Sequence, residues 1–164
     1  MKEVKTQEIF FTEKKVIGTL GQKEIETEFS IRNIVYYPYM FYEFSFKRDN
    51  PISPLRGDAA CTIDAISGVP ALVDKRPEFT TLEIEKEIIL PTQLEESHMI
   101  ELAKEFLYRT ISKKIKVATA PNISLKLSNL FYRPYWIIDG KGKKNKFTLM
   151  VDSISGKYHP LNVE

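Results

Sequence analysis

The sequence predicts an α+β fold, in which an antiparallel sheet is built from two repeated strand-loop-strand units and one long helix packs on it. Three observations favour this class: a pair of motifs that occurs twice, stretches in which apolar and polar residues alternate at the period of a strand, and helical periodicity at about 92–116. A length of 164 residues suits a single domain, and its internal duplication lies at 33–74 and 129–161.

The duplication rests on two short motifs that recur in the same order. Asn33–Met40 (NIVYYPYM) is matched by Asn129–Trp136 (NLFYRPYW) 96 residues later, and Asp64–Gly68 (DAISG) is matched by Asp152–Gly156 (DSISG) 88 residues later. The offsets differ by eight residues, so the first copy holds an insertion, which we place in a polar loop at 47–58. Asp followed by Gly predicts a tight turn, because Asp accepts backbone N–H groups and Gly adopts a positive φ.

The first 24 residues give the weakest signal. Residues 12–20 fit either a short helix capped by Thr12 or a strand broken at Gly18, and strand or irregular structure is favoured. From Ile25 to Ile31 apolar side chains and Thr alternate with Glu and Ser, which predicts a strand with one acidic face.

The predicted helix at about 92–116 begins with a capping box. Thr92 and Glu95 have the spacing at which each side chain binds a backbone N–H group of the first turn. Apolar residues then recur at intervals of three and four, and lysines at the C-terminal end complement the helix dipole. We expect the face that contains Phe106 to pack on the sheet.

The composition, 43% hydrophobic and 28% charged, is typical of a globular protein. No apolar run approaches the ~20 residues of a membrane-spanning helix, and the N-terminus lacks the apolar core of a secretory signal. We therefore expect a cytoplasmic protein if Met1 is the native start, and an extracytoplasmic one if a leader has been removed. Charge is uneven: residues 1–108 hold 13 Lys and Arg against 19 Asp and Glu, whereas 109–164 hold 11 against 3.

The sequence predicts neither a metal or cofactor site nor catalytic residues. A single cysteine, Cys61, excludes an internal disulfide, and the two histidines, His98 and His159, lie in different predicted elements. Asp64 and Asp152 form a candidate acid pair, because catalytic carboxylates sometimes face each other. The turn chemistry of their Ser and Gly neighbours is the favoured explanation of both aspartates, so we do not expect an enzyme.

Two groups of side chains are candidate binding residues. The aromatic candidates for a stacking platform are Trp136, Tyr135 and Tyr39. Aromatic residues in sheets more often belong to the core, and Trp136 is the favoured exception because Met40 replaces it in the first copy. The basic candidates for an anion-binding surface are Lys141, Lys143, Lys144 and Lys146. A lysine-rich hairpin tip also serves to keep an exposed sheet edge soluble.

The helix, the strands after it and the closing hairpin Met150–Lys157 (MVDSISGK) resemble the PepSY-type domain, a small module of cystatin-like character. The resemblance covers mainly residues 92–164, and the hairpin motif has a second copy within 33–70. It implies a binding role, including regulation of peptidases, often outside the cytoplasm, and it supplies no catalytic residues.

We therefore expect a non-enzymatic module that binds and regulates a protein or peptide partner. The alternative is a nucleic-acid or anionic-surface binder that acts through the basic C-terminal half. A homodimer is also compatible with the sequence.

Overall fold

A computed structural model describes residues 1–49, 54–114 and 121–161. Of these described residues, strands hold 51% and helices 21%. The chain divides into two compact units. The first unit consists of Met1–Tyr37, Phe79–Leu90 and Tyr132–Glu164, and the second consists of Pro38–Glu78 and Pro91–Phe131.

The first unit contains eight elements or parts of elements. In chain order they are β1 (Lys2–Thr6), α1 (Glu13–Lys23), the start of β2 (Glu28–Arg48), β5 (Thr80–Ile84), a 3₁₀ turn (Lys86–Ile88), the end of β6 (Asn122–Lys141), β7 (Lys146–Asp152) and β8 (Tyr158–Leu161). β1 pairs antiparallel with β5 and parallel with β6, where Thr6 lies opposite Tyr132. β6, β7 and β8 pair antiparallel in succession.

α1 forms because residues 12–23 meet the requirements of a short amphipathic helix. Thr12 is the N-cap, and its hydroxyl accepts a hydrogen bond from the backbone N–H of Lys15 at 3.4 Å. Val16 and Leu20, four residues apart and therefore on one face, are buried against the apolar side chains of the hairpin β6–β7. Those side chains are Ile138, Leu149 and Val151.

The second unit contains the rest of β2, β3 (Leu55–Asp64), β4 (Pro70–Val73), α2 (Glu96–Lys114) and the start of β6. β2 and β3 pair antiparallel from Tyr39 opposite Asp64 to Arg48 opposite Leu55, and β4 pairs with β3. α2 buries one face, which carries Met99, Ala103 and Leu107 at the spacing of one helical turn. It packs on alternate residues of the two strands: Met40, Tyr42, Phe44, Cys61 and Ile63.

Each unit combines a helix from one half of the chain with a hairpin from the other half. In the first unit the carbonyl of Ser153 accepts two successive backbone N–H groups from the segment ahead of α1. In the second unit the carbonyl of Ala65 accepts two from the segment ahead of α2. The donors are Phe10 and Phe11, at 3.0 and 2.7 Å, and Gln93 and Leu94, at 2.9 and 3.2 Å.

The chain contains helices and a sheet, but the predicted arrangement, an antiparallel sheet under one long helix, is wrong. The described residues hold two α-helices, and the parallel pairing of β1 with β6 makes the strand pairing mixed. The favoured interpretation of residues 12–20 as strand or irregular structure is also wrong, since they lie in α1 and its cap.

Two predicted boundaries also differ from the structure. α2 begins at Glu96, and the backbone N–H of Met99 donates to the carbonyl of Glu95, so Thr92 lies ahead of the capping position. Residues 115 and 116 of the predicted helix lie outside the described residues. The loop predicted at 47–58 is shorter, because β2 continues to Arg48 and β3 begins at Leu55, while residues 50–53 lie outside the described part of the chain.

Candidate functional site

The two predicted aspartate turns are confirmed, one in each unit. Oδ1 of Asp64 accepts the backbone N–H groups of the second and third residues after it, both at 2.9 Å, and Oδ1 of Asp152 does the same at 2.8 and 3.4 Å. Each turn closes on a glycine with positive φ, +82° at Gly68 and +75° at Gly156. Oδ2 of Asp152 also accepts a hydrogen bond from Arg133 at 2.5 Å. Turn formation therefore accounts for both carboxylates.

Trp136 and Tyr135 lie in the first unit, on opposite faces of β6. The indole N–H of Trp136 donates to the carbonyl of Phe11 at 2.9 Å, and its ring packs in the cluster beneath α1. Tyr135 is 7% exposed and meets the ring of Tyr37 edge to face, with centroids 5.7 Å apart. Both rings are thus held inside the fold.

Tyr39 lies in the second unit. Its ring is partly buried and stacks on Phe131 at an interplanar angle of 23°, with 5.7 Å between the centroids. This contact joins β2 to β6 within the unit, as cross-strand aromatic pairs do in sheets. Each of the three aromatic residues predicted as a stacking platform thus makes a packing contact within its own unit.

The four predicted lysines lie in or beside the loop between β6 and β7, and all are exposed. Lys141 and Lys146 lie directly opposite each other in the strand register. Lys143 forms an ion pair with Glu26 at 3.2 Å, so the turn ahead of β2 reaches the basic loop. The predicted alternation of apolar and acidic residues contained this carboxylate, but nothing in the sequence connected it to the lysines.

An open groove of about 980 Å³ lies on the face of the first unit's strands that carries Lys141 and Lys146. It extends over parts of four strands. The lining residues are Glu28, Ser30 and Arg32 of β2, Asp139, Gly140 and Lys141 of β6, Lys146, Phe147 and Thr148 of β7, and Pro160 and Leu161 of β8. We call this feature the β6–β7 groove. It brings together two of the predicted binding residues, Lys141 and Lys146.

An ordered charge pair lies within the β6–β7 groove. Nε and Nη2 of Arg32 donate to the two carboxylate oxygens of Asp139 at 3.0 and 2.6 Å, and Thr148 donates to the same carboxylate at 3.1 Å. The hydrogen bond from Arg32 is the main cause that lowers the pKa of Asp139 below its ordinary value. The carboxylate is therefore ionised at neutral pH and holds the guanidinium in place. Arg32 was not among the predicted site residues, since its partner lies 107 residues away.

A second groove, of about 420 Å³, lies within the second unit. Its carboxylates belong to Glu43, Asp58 and Asp74. Glu43 already receives a hydrogen bond from Arg76 at 2.6 Å, which lowers the pKa of the carboxyl group, and Lys126 lies 3.6 Å from it. Arg76 and Lys126 thus already pair with the Glu43 carboxylate of this groove.

The single cysteine lies in the core of the second unit. Cys61 is fully buried in the cluster beneath α2, and burial raises the pKa of its thiol to about 12. A protonated thiol without solvent access is a poor nucleophile. Within residues 1–49, 54–114 and 121–161, no three His, Cys, Asp or Glu side chains are grouped so that they could hold a metal ion.

No family model, curated protein or solved structure matches the chain. The resemblance to PepSY-type domains therefore stays a prediction. Among the described helices, none is both long and apolar enough to cross a membrane.

Proposed function

We propose that this protein is a non-enzymatic binding module and that its β6–β7 groove holds an extended, charged segment of a partner protein. The observation that carries the proposal is the groove itself, an open volume of about 980 Å³ on a strand face with a fixed charge pair inside it. Two hydrogen bonds join Arg32 to Asp139, so the chain itself already partners both charges of this pair.

The lining of the groove favours a polypeptide over a small apolar ligand. Sites for small organic molecules are enclosed and lined mainly by hydrophobic side chains. Five of the eleven residues that line this groove are charged, and both signs are present. An extended peptide supplies alternating side chains and backbone polar groups, which suit such a surface.

The alternative, a nucleic-acid or anionic-surface binder, has weaker support. Its basic surface depends on the lysines at 141–146, and Lys143 is already paired with Glu26. Glu28 adds a second carboxylate, in the lining of the groove. A phosphate backbone carries a charge at every nucleotide and would meet both carboxylates.

The proposal can be tested with an array of random 12-residue peptides and the full chain. Hits are measured by titration and located by amide chemical-shift changes. Ser30→Trp places a large ring in the groove, and Ser124→Trp is a matched control, because Ser124 is also an exposed strand serine but lies in the second unit. We expect micromolar binding, a loss of about tenfold or more for Ser30→Trp, and no change for Ser124→Trp.

Either of two results would contradict the proposal. One is that no peptide binds, and the other is that Ser30→Trp binds as well as the unaltered chain. A salt titration with single-stranded DNA tests the alternative. Binding that persists at physiological salt and is lost when the four lysines become Glu would favour the nucleic-acid function.

A further inference from the structure

Lys141 and Lys146 are two neighbouring positive charges in the lining of the β6–β7 groove. They lie directly opposite each other in the register of β6 and β7, and both are exposed. Like charges directly opposite each other destabilise a strand pair. Neither lysine forms an ion pair with another residue of the described ranges. A carboxylate bound to both lysines would remove this repulsion.

Ser30 continues the row of these two lysines onto β2. β2 and β6 are neighbouring strands, and within them Arg32 contacts Asp139. The strands run antiparallel, because a second contact between them joins a later tyrosine of β2 to an earlier tyrosine of β6. Two residues from the Arg32–Asp139 contact, down β2 and up β6, lie Ser30 and Lys141, on the same face. Three adjacent strands thus contribute one residue each to this row, which we call the Ser30–Lys146 row.

The second unit contains an equivalent row, in which the chain itself supplies a carboxylate. The offsets of the predicted duplication, 96, 96 and 88 residues, relate Ser30 to Lys126, Lys141 to Ser45 and Lys146 to Asp58. Ser45 lies opposite Asp58 in the register of β2 and β3, and Nζ of Lys126 lies 3.4 Å from Oδ2 of Asp58. β2 lies between β3 and β6, so this ion pair reaches across the middle strand of its row. An ammonium and a carboxylate therefore meet within the row of the second unit, whereas the row of the first unit holds two ammonium groups and no carboxylate.

We propose that Ser30, Lys141 and Lys146 form a carboxylate-binding subsite of the β6–β7 groove. A carboxylate of the bound segment neutralises this row as Asp58 neutralises the row of the second unit. The carboxylate belongs to an Asp or Glu side chain or to the C-terminus of the segment. This inference rests on the proposed function, since it names the group by which the groove holds its partner.

The donors of the Ser30–Lys146 row suit a carboxylate. Each ammonium group carries three N–H donors and the serine hydroxyl carries one, while a carboxylate accepts through both of its oxygens. Neighbouring strands lie ~4.8 Å apart, so one carboxylate can accept from donors on two strands at once. Hydrogen bonds between charged partners are the stronger kind, and this geometry allows two of them.

The charges beside the row do not replace the missing carboxylate. Asp139 is occupied by Arg32, which donates two hydrogen bonds to it. Glu28 lies two residues along β2 from Ser30, roughly 6.7 Å away on the same face, and forms no ion pair with either lysine in the described ranges. Its charge opposes an incoming carboxylate, so Glu28→Gln should tighten the binding of one.

The probes for the test are three pools of labelled nonapeptides whose flanks contain only uncharged residues. The first pool has a central Glu and an amidated C-terminus, the second a central Gln and an amidated C-terminus, and the third a central Gln and a free C-terminal carboxylate. Binding to the full chain is followed by fluorescence anisotropy. We expect the first or the third pool, according to the source of the carboxylate, to bind about five- to tenfold tighter than the second, as two exposed ion pairs would give. This preference should shrink as salt is added.

Lys146→Asp places a carboxylate opposite Lys141, as in the row of the second unit, and should remove the preference for a peptide carboxylate. Lys144→Asp is the matched control, because it makes the same change of charge in the same loop and Lys144 does not line the groove. It should keep most of the preference, and Ser30→Ala should reduce it by about twofold. Amide chemical-shift dispersion shows whether each variant is folded.

Two results would overturn the inference and leave the proposed function standing. One is that the three pools bind equally while Ser30→Trp weakens all of them. The other is a preference for carboxylate that survives Lys146→Asp, or that Lys144→Asp removes to the same extent, since net charge alone would then explain it. If no pool binds and the 12-residue array gives no hit, the proposed function itself fails.

Discussion

A chain divided between Ile84 and Glu85 should give two fragments that cannot fold separately. Each compact unit draws residues from both sides of this cut. In the first unit, α1 belongs to fragment 1–84, and the hairpin β6–β7 on which it packs belongs to fragment 85–164. The second unit has the reverse composition, with α2 in the later fragment and the hairpin β2–β3 in the earlier one.

The packing between the two fragments is comparable in energy to the whole stability of a small protein. In the first unit it buries five aliphatic side chains, each worth about 1.5–3 kcal/mol. Their sum is about 8–15 kcal/mol, against ~5–15 kcal/mol for the net stability of a typical domain. The side chains are Val16, Leu20, Ile138, Leu149 and Val151. α1 has 11 residues and is too short to be a stable isolated helix in water.

The assay combines far-UV circular dichroism, amide chemical-shift dispersion and sedimentation velocity. Each fragment alone should show little helix and poor dispersion, and an equimolar mixture should recover the spectrum of the intact chain. The prediction is refuted if either fragment, shown to be monomeric by sedimentation, unfolds in one cooperative transition from a well-dispersed state.

Three further predictions concern single side chains. Tyr42→Phe should stabilise the chain by about 1–3 kcal/mol in thermal denaturation, because the buried hydroxyl has no hydrogen-bond partner among the residues that the structure describes. Gly156→Ala should destabilise it by about 1 kcal/mol or more in urea, because φ is +75° and the Phe11 ring lies 3.0 Å from the new methyl position. The lowered pKa of Asp139 should add stability above pH ~4, the ordinary pKa of Asp, and this contribution should disappear as the pH falls through the folded-state pKa. Arg32→Met should remove that pH dependence from urea midpoints measured across the acid range.

Each of these predictions has a control. Tyr158 is 46% exposed, so Tyr158→Phe should leave the melting temperature unchanged, and an equal gain there would contradict the explanation for Tyr42. Gly18 lies in α1 with open space around it, so Gly18→Ala should stabilise the helix, in contrast to Gly156→Ala. Asp49 is highly exposed, and Asp49→Asn should not alter the acid dependence. If Arg32→Met also leaves the acid dependence of stability unchanged, the explanation for Asp139 is wrong.

Local chemistry made part of the fold predictable. The aspartate turns follow from residues within five positions of one another, and α2 follows from the spacing of Met99, Ala103 and Leu107. α1 was missed because Gly18 and Gly21 lower its helix propensity, and its main stabilisation comes from a hairpin more than 100 residues later.

The candidate site was predictable only in part, because it too depends on contacts between residues far apart in the sequence. A run of lysines is visible in the sequence, and so is the acidic face of the strand that starts near residue 25. The lysines and the acidic residues come close together because β2 pairs with β6, and no local sequence pattern specifies that pairing. Trp136 is a different case. The sequence alone makes it a candidate binding residue, whereas in the structure its indole N–H donates a hydrogen bond to the carbonyl of Phe11.

The predicted duplication suggests why only one of the two grooves is suited to a ligand. The two grooves are lined by residues that correspond under the offsets of the duplication. An offset of 96 residues relates Asp139 to Glu43, and an offset of 88 relates Lys146 to Asp58. In the second unit, Arg76 already binds Glu43, and Lys126 lies between Glu43 and Asp58, so the carboxylates are neutralised by the chain itself. In the first unit Arg32 neutralises the corresponding carboxylate, and neither Lys146 nor Lys141 opposite it forms an ion pair with another residue of the described ranges. The two grooves thus differ in the charge that the chain itself leaves on them, and in the β6–β7 groove that charge is positive.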